Sequence, residues 1–181
     1  MEILPRLTNF LKINSTNERA KNQLEAAETT FQKAIAVILA LHAFLHESGK
    51  GKSSIASSIK YMLFLANNVQ SYVAEIEKRR DEIAIRGETF QPVVILFGDD
   101  YDKVMDKKFL VYCDGVVYKF VNFFKAMEIL FNIYIVFDLK WPVQNKSVFS
   151  TILNLIYGSI DPRDKQISLK GKLLWNALNA K

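Results

Sequence analysis

The sequence contains little cysteine, glycine or proline. Its 181 residues include a single cysteine, Cys113, with 7 glycines and 4 prolines. One cysteine excludes a disulfide within the chain and fits a reducing compartment, so we expect an intracellular protein of the cytoplasm or nucleus. Hydrophobic residues make up 50% of the sequence. Together with the scarcity of glycine and proline, this content argues against a disordered chain and predicts a folded one.

The sequence also lacks an apolar run long enough to cross a membrane. Its most apolar segment follows Asn122, a good N-cap residue for a helix, and the uninterrupted run spans only residues 133–137. A bilayer requires about 20 consecutive apolar residues. Because the apolar residues would cover nearly the whole circumference of a helix, we predict a helix in the middle of a core and no membrane partner.

Charge of one sign is not concentrated in any region. The net charge is +5, whereas a module dedicated to nucleic acid usually gathers its basic residues on one face. The clearest basic cluster, residues 78–80, is followed at once by acidic residues. We therefore keep a nucleic-acid-binding accessory protein as the alternative to a protein–protein interaction module. Its candidate contacts are Lys78, Arg79, Arg80, Lys170 and Lys172.

No complete set of catalytic or metal-ligating residues is evident. Asp99, Asp100 and Asp102 follow an apolar segment, and carboxylates at the end of a strand suit Mg²⁺ in a metal-dependent phosphodiesterase or nuclease. His42 and His46 are four residues apart and would share one helix face, but no third ligand has a recognisable spacing. We therefore predict no cofactor and favour a protein that is not an enzyme, with the phosphodiesterase as third hypothesis.

Among the features that are present, the clearest is a β-hairpin at residues 109–120. Asp114 and Gly115 suit the central positions of a type I′ turn, which need positive φ. The flanking residues are aromatic or β-branched, as in strands. With the apolar segment 92–97, the sequence predicts a small antiparallel sheet of about three strands. The turn fixes five facing pairs: Cys113–Val116, Tyr112–Val117, Val111–Tyr118, Leu110–Lys119 and Phe109–Phe120.

Two apolar stripes with helical spacing precede the hairpin. Ser15 and Glu18 form a capping-box pattern, which indicates the start of a helix. Apolar residues then recur every three or four positions over residues 24–45, and again over residues 55–76, as in heptad repeats. Because only the short polar segment 49–54 separates the stripes, the sequence predicts two long helices in an antiparallel helical hairpin.

These patterns predict an α+β fold, in which an N-terminal antiparallel helical hairpin packs with a small antiparallel sheet and C-terminal helices. The C-terminal helices are expected at residues 147–157 and 168–181. We divide the chain into a helical hairpin region, residues 1–88, and a region of sheet and helices, residues 89–181. We expect the two regions to share one core.

Two heptad helices carry more apolar surface than they can cover between them. We therefore expect a non-enzymatic protein–protein interaction module that self-associates as a homo-oligomer, such as a dimer, or binds another protein. The candidate interaction residues lie on the two stripes and are Phe31, Ile38, Leu41, Leu45, Met62, Leu65, Val69 and Tyr72.

The hairpin and the helix after it resemble a segment of uncharacterised, transposon-like animal proteins. In that family a short Asp-Gly hairpin precedes a helix ending in Tyr-x-Val-Phe-x-x-x-Tyr-Pro, and a second helix follows. Here a tryptophan replaces the second tyrosine of the pattern. The resemblance covers about a third of the chain, implies a link to mobile genetic elements, and implies no catalytic residues. The matching residues are Tyr134, Val136, Phe137, Trp141 and Pro142, followed by Ile160 and Pro162.

Overall fold

The computed structural model of the chain describes residues 3–46, 54–105, 108–158 and 168–179. These residues form eight helices and one four-stranded sheet, which agrees with the predicted α+β class. The chain forms two compact units, one of Met1–Ser58 with Val143–Lys181 and the other of Ile59–Pro142. The second unit is therefore a continuous segment inserted into the sequence of the first.

The elements of the described residues follow one another in this order: α1 (Ile3–Asn14), α2 (Glu18–Ala26), α3 (Thr30–Leu45), α4 (Ile55–Ile59), β1 (Leu63–Ala66), α5 (Tyr72–Ile85), β2 (Val93–Phe97), β3 (Phe109–Cys113), β4 (Val116–Phe120), α6 (Phe123–Val136), α7 (Lys146–Tyr157) and α8 (Leu169–Asn179). None of these helices has the length and apolar content that a membrane crossing requires, as far as the described residues go.

The first unit is helical and is built around α3. Every residue of α3 from Ala34 to His42 is buried. Four helices, α1, α2, α7 and α8, pack against α3. A helix whose side chains are buried all round in this way lies at the centre of its core and not at its surface.

The helix predicted to start near Ser15 is two helices. α2 begins after Asn17, whose side chain accepts a hydrogen bond of 3.0 Å from the backbone N–H of Ala20. The helix that begins with a capping box is the next one, α3. Thr29 Oγ1 accepts from the N–H of Gln32 at 3.1 Å, and Gln32 Oε1 accepts from the N–H of Thr29 at 3.0 Å. Because the heptad spacing continues across this break, the spacing alone does not reveal it.

The sheet has the strand order β1-β2-β3-β4. β3 and β4 pair in the predicted register, and all five predicted pairs are confirmed. Asp114 and Gly115 have φ angles of 44° and 83°, as the type I′ turn requires. β2 pairs antiparallel with β3, as the prediction also requires. β1 is an addition to the predicted three strands and lies parallel to β2, so the sheet is mixed.

The prediction of a second long helix in a helical hairpin is wrong. Residues 55–76 form α4, β1 and the start of α5. A short apolar run such as residues 63–66 fits a buried strand as well as a helix, and pairing with β2 decides for the strand. Asn68 Oδ1 then accepts 2.9 Å hydrogen bonds from the N–H groups of Gln70 and Ser71, which turns the chain into α5. The compact units consequently group residues differently from the two predicted regions.

Helices cover both faces of the sheet. On one face, Phe64, Ile95 and Tyr112 form a buried cluster with Ile76 of α5. On the other face, α6 packs on β2, β3 and β4. The second unit is therefore a three-layer arrangement of helix, sheet and helix, with a hydrophobic core on each side of the sheet.

α6 starts at its predicted N-cap and is buried over much of its length. Asn122 Oδ1 accepts a hydrogen bond of 3.2 Å from the N–H of Lys125. Tyr134 is fully buried, and its hydroxyl donates to the carbonyl oxygen of Pro92 at 3.2 Å. The last turn differs, because Ile135 and Val136 are exposed. The predicted core helix thus holds for the side that faces the sheet and not for the whole circumference.

Candidate functional site

The predicted interaction residues of α3 lie inside the helical unit. Ile38, Leu41 and Leu45 are buried, and Phe31 is half-buried. Their heptad spacing serves the packing of α3 against its neighbouring helices. The described part of this stripe therefore offers no exposed seam for a second polypeptide.

The other four predicted interaction residues belong to different elements of the sheet unit. Met62 precedes β1 and is fully buried, and Leu65 is a half-buried residue of β1. Val69 lies in the turn after β1, Tyr72 begins α5, and both pack against the core of the sheet. Because these residues are not on one helix, they do not form the predicted stripe.

Four of the exposed apolar side chains lie at β4 and just after it. Val116 is 51% exposed and Tyr118 is 48% exposed. Val121 follows the strand at 79%, and Phe124, in the first turn of α6, is 45% exposed. We refer to these four side chains, together with the free side of the strand, as the β4 edge.

Pairing with β3 determines which backbone groups of β4 point outward. In a two-residue hairpin the residues that flank the turn bond to each other, so Val116, Tyr118 and Phe120 direct their N–H and C=O groups toward β3. Val117 and Lys119 direct theirs away from β3. β4 is the last strand in the sheet order, so no strand of the described chain pairs with these groups.

The opposite edge of the sheet, formed by β1, is short and mostly buried. β1 has only four residues, three of which are buried. The carbonyl oxygen of Leu63 accepts a 2.9 Å hydrogen bond from the hydroxyl of Tyr101. Burial, with a smaller contribution from the charge of Asp100, raises the pKa of Tyr101 and keeps this donor protonated. The β1 edge is therefore short and mostly buried, whereas the β4 edge is exposed.

The predicted nucleic-acid contacts of the first cluster lie in α5. Lys78 and Arg80 are exposed. Arg79 forms an ion pair with Glu82, at 3.3 Å, and its guanidinium lies 5.4 Å from the ring centroid of Tyr61. Two of the three basic side chains are therefore accessible, and the third is engaged within the unit.

The remaining two predicted contacts lie in α8, which belongs to the helical unit. Lys170 Nζ donates to the carbonyl oxygen of His46 at 3.3 Å and lies 5.7 Å from the ring centroid of Phe44. Lys172 is exposed. Since the five basic residues are divided between two units, no single element gathers them, and nucleic-acid binding stays an alternative prediction.

The predicted metal ligands follow β2, where the sequence places them. Asp99 is exposed, and Asp100 Oδ1 accepts a 2.7 Å hydrogen bond from the N–H of Tyr101. The side chain of Asp102 lies outside the described part of the chain. Among the side chains that are described, no three or more of histidine, cysteine, aspartate and glutamate form a group that could hold a metal ion.

A group of buried polar residues lies in the helical unit. His42, Ser58 and Asn145 are 2%, 3% and 2% exposed. Ser58 Oγ lies 2.6 Å from the carbonyl oxygen of Gln144 and 3.2 Å from His42 Nδ1. Asn145 Nδ2 donates to the carbonyl oxygen of Ser58 at 3.4 Å. We call these four residues the Ser58 cluster.

The Ser58 cluster is not arranged as a nucleophile and its base. A carbonyl oxygen can only accept, so the single hydroxyl hydrogen of Ser58 is donated to Gln144. His42 Nδ1 must then donate to Ser58 Oγ, and it cannot withdraw the serine proton. Burial, with a smaller contribution from the charge of His46, lowers the pKa of His42 to about 3, so the ring is neutral near pH 7.

The β4 edge and the Ser58 cluster differ in how far the sequence indicates them. The turn and the facing residues of β3 are local in sequence, so they indicate the strand at residues 116–120, but they do not indicate that its outer side is unpaired. The cluster joins residues that are 16 and 87 positions apart. No local spacing could indicate contacts between such distant residues.

Of the residues that carry the family resemblance, Tyr134 and Trp141 have packing roles. The rings of Tyr134 and Trp141 are 4.8 Å apart between centroids, and Trp141 is 6% exposed. Phe137 is 65% exposed. Ile160 and Pro162 lie outside the described residues.

The chain matches no protein-family model, no curated protein and no solved structure. The resemblance to transposon-like animal proteins therefore stays a prediction.

Proposed function

We propose that the protein is a non-enzymatic interaction module and that two copies associate through their β4 strands. The observation that carries this proposal is the open β4 edge. Natural proteins usually shorten, charge or cover an edge strand, because its free N–H and C=O groups pair readily with another strand. β4 has one charged residue, Lys119, and apolar side chains on either side of it.

The β4 edge is complementary to itself when two copies are related by a twofold axis. With the axis at Tyr118, Val117 of one copy faces Lys119 of the second copy, and each such pair exchanges two backbone hydrogen bonds. On the α6 side of the sheet, Tyr118 then faces its equivalent and Val116 faces Phe120. These are aromatic and β-branched pairs of the kind that stabilise neighbouring strands.

Association at the β4 edge would also remove apolar surface from water. Val121 and Phe124 lie immediately beyond the strand, and the twofold axis repeats them at both ends of the paired strands. Each patch is small in one copy, and the symmetry doubles it. A link to mobile genetic elements and an intracellular location are part of the proposal, and they rest on the family resemblance and on the single cysteine.

Two substitutions at one position test the proposal. Lys119→Pro removes an N–H that points away from β3, so the hairpin should stay intact while one donor to the second copy is lost. Lys119→Ala removes the side-chain charge and keeps the N–H. Sedimentation from micromolar to millimolar concentrations should show dimers of the wild type and of Lys119→Ala, and monomers of Lys119→Pro with an unchanged circular dichroism spectrum.

Two results would contradict the proposal. The first is a wild-type chain that stays monomeric over the whole concentration range. The second is a Lys119→Pro variant that associates as strongly as Lys119→Ala, since the outward N–H would then have no part in the interface.

A further inference from the structure

Two polar atoms of the Ser58 cluster have no hydrogen-bond partner among the described residues. They are His42 Nε2 and Asn145 Oδ1. Both side chains are 2% exposed, so bulk water does not reach these atoms. Leaving a buried polar atom unpaired is costly, and most buried polar atoms in native proteins have a hydrogen-bond partner.

The hydrogen bonds within the cluster determine what kind of partner is missing. Because Ser58 gives its hydrogen to Gln144, the neutral ring of His42 carries its proton on Nδ1 and has a lone pair on Nε2. Asn145 uses its Nδ2 group for the carbonyl oxygen of Ser58, which leaves Oδ1 as an acceptor. Both open atoms therefore accept, and the missing partner must donate.

The groups around the two open atoms favour a neutral partner. A buried cation requires ligands that offset its charge, and the described side chains contain no group of three or more potential metal ligands. No carboxylate takes part in the hydrogen bonds within the cluster. Water is the smallest neutral molecule with two donor hydrogens, and buried waters typically satisfy polar groups of this kind.

We infer that one water molecule is bound within the Ser58 cluster and donates one hydrogen to His42 Nε2 and the other to Asn145 Oδ1. The water and Ser58 together connect α3, α4 and the residue that precedes α7. The site is thus a small internal binding site that joins segments distant in sequence.

A crystal structure of the full chain at a resolution that shows ordered water tests the inference directly. The expected result is one isolated density peak within hydrogen-bond distance of both His42 Nε2 and Asn145 Oδ1. Long-range ¹H–¹⁵N spectra should show the proton of His42 on Nδ1. An empty site, a protein donor at either atom, or a proton on Nε2 overturns the inference.

Two variants separate this site from a general effect of buried polar groups. Ser58→Ala removes the acceptor that holds the proton on Nδ1, so the fraction of His42 with its proton on Nε2 should rise. Thr151→Val is the matched control, since Thr151 Oγ1 is also buried and has no partner among the described residues. It should leave the density peak and the His42 spectrum unchanged. An unchanged His42 spectrum in Ser58→Ala overturns the assignment, and the wild-type density decides if that variant does not fold.

Discussion

His42 is an ionisable residue inside an otherwise apolar stretch of α3, and this makes the stability of the helical unit depend on pH. Folding lowers its pKa from the ordinary value of 6.5 to about 3. Between these two pH values the unfolded chain binds one proton more than the folded chain, so stability falls as the pH falls. We expect His42 to lower the free energy of unfolding by about 1.4 kcal/mol for each pH unit below its unfolded pKa.

Urea unfolding at several pH values between the two pKa values measures this slope. His42→Gln is the control, because the carboxylates contribute to the slope of both proteins while only the wild type has the buried imidazole. The wild type should lose stability more steeply on acidification than the variant. Parallel curves would show that His42 does not titrate differently in the folded and unfolded chains.

Gly98 has a backbone that leaves no room for a side chain. It follows β2 with a φ of 155°, and an added Cβ would lie 2.5 Å from the carbonyl oxygen of Lys103. Because a backbone oxygen cannot move aside as a flexible side chain can, we expect Gly98→Ala to destabilise the sheet unit by about 3 kcal/mol. Gly87→Ala is the matched control, since Gly87 has a φ of 70° and nothing within 4 Å of the added atom. Its loss should be only about 1 kcal/mol, and equal losses in thermal unfolding would refute the steric argument.

The sequence predicts well those elements whose position depends on residues close to them in the chain. Asp114 and Gly115 set the register of β3 and β4 within a few residues, and Asn122 sets the start of α6. β1 depends on β2, which lies beyond α5 in the sequence, and the run 63–66 has no local signal that favours a strand over a helix.

The β4 edge, too, is only partly predictable from residues that are close in sequence. The strand at residues 116–120 is predictable, because its turn and its partner are local. Its openness is not, because it depends on the order of all four strands. The burial of Leu41 and Leu45 is equally inaccessible to spacing, since a heptad stripe is the same whether the covering helix belongs to this chain or to another.

The capping box at the start of α3 should contribute measurably to stability. Thr29 and Gln32 satisfy each other's backbone N–H groups at the start of this buried helix. Thr29→Ala should therefore lower the stability of the helical unit by about 1 kcal/mol. Thr30→Ala changes the same residue type one position later, where the side chain is exposed, and should cost little. Chemical unfolding of both variants checks the difference, and similar losses would mean that the cap contributes nothing.

The whole molecule consists of two compact units, only one of which is continuous in sequence. Ile59–Pro142 contains the complete sheet, the helices on both of its faces, and the aromatic contact between Tyr134 and Trp141 near its end. A segment with its own core on each face of a sheet has what independent folding requires. The other unit is formed by two segments that are separated by this insertion, so it cannot be produced as one continuous fragment.

A fragment of residues 59–142 should therefore fold alone and should also associate, because it contains the whole β4 edge. We expect it to unfold cooperatively and to form dimers with the same dissociation constant as the full chain, since the proposed interface uses no residue outside the fragment. Lys119→Pro should make the fragment monomeric as well. Sedimentation of the fragment beside the full chain is the measurement. A folded, monomeric fragment beside a dimeric full chain would move the interface to the helical unit.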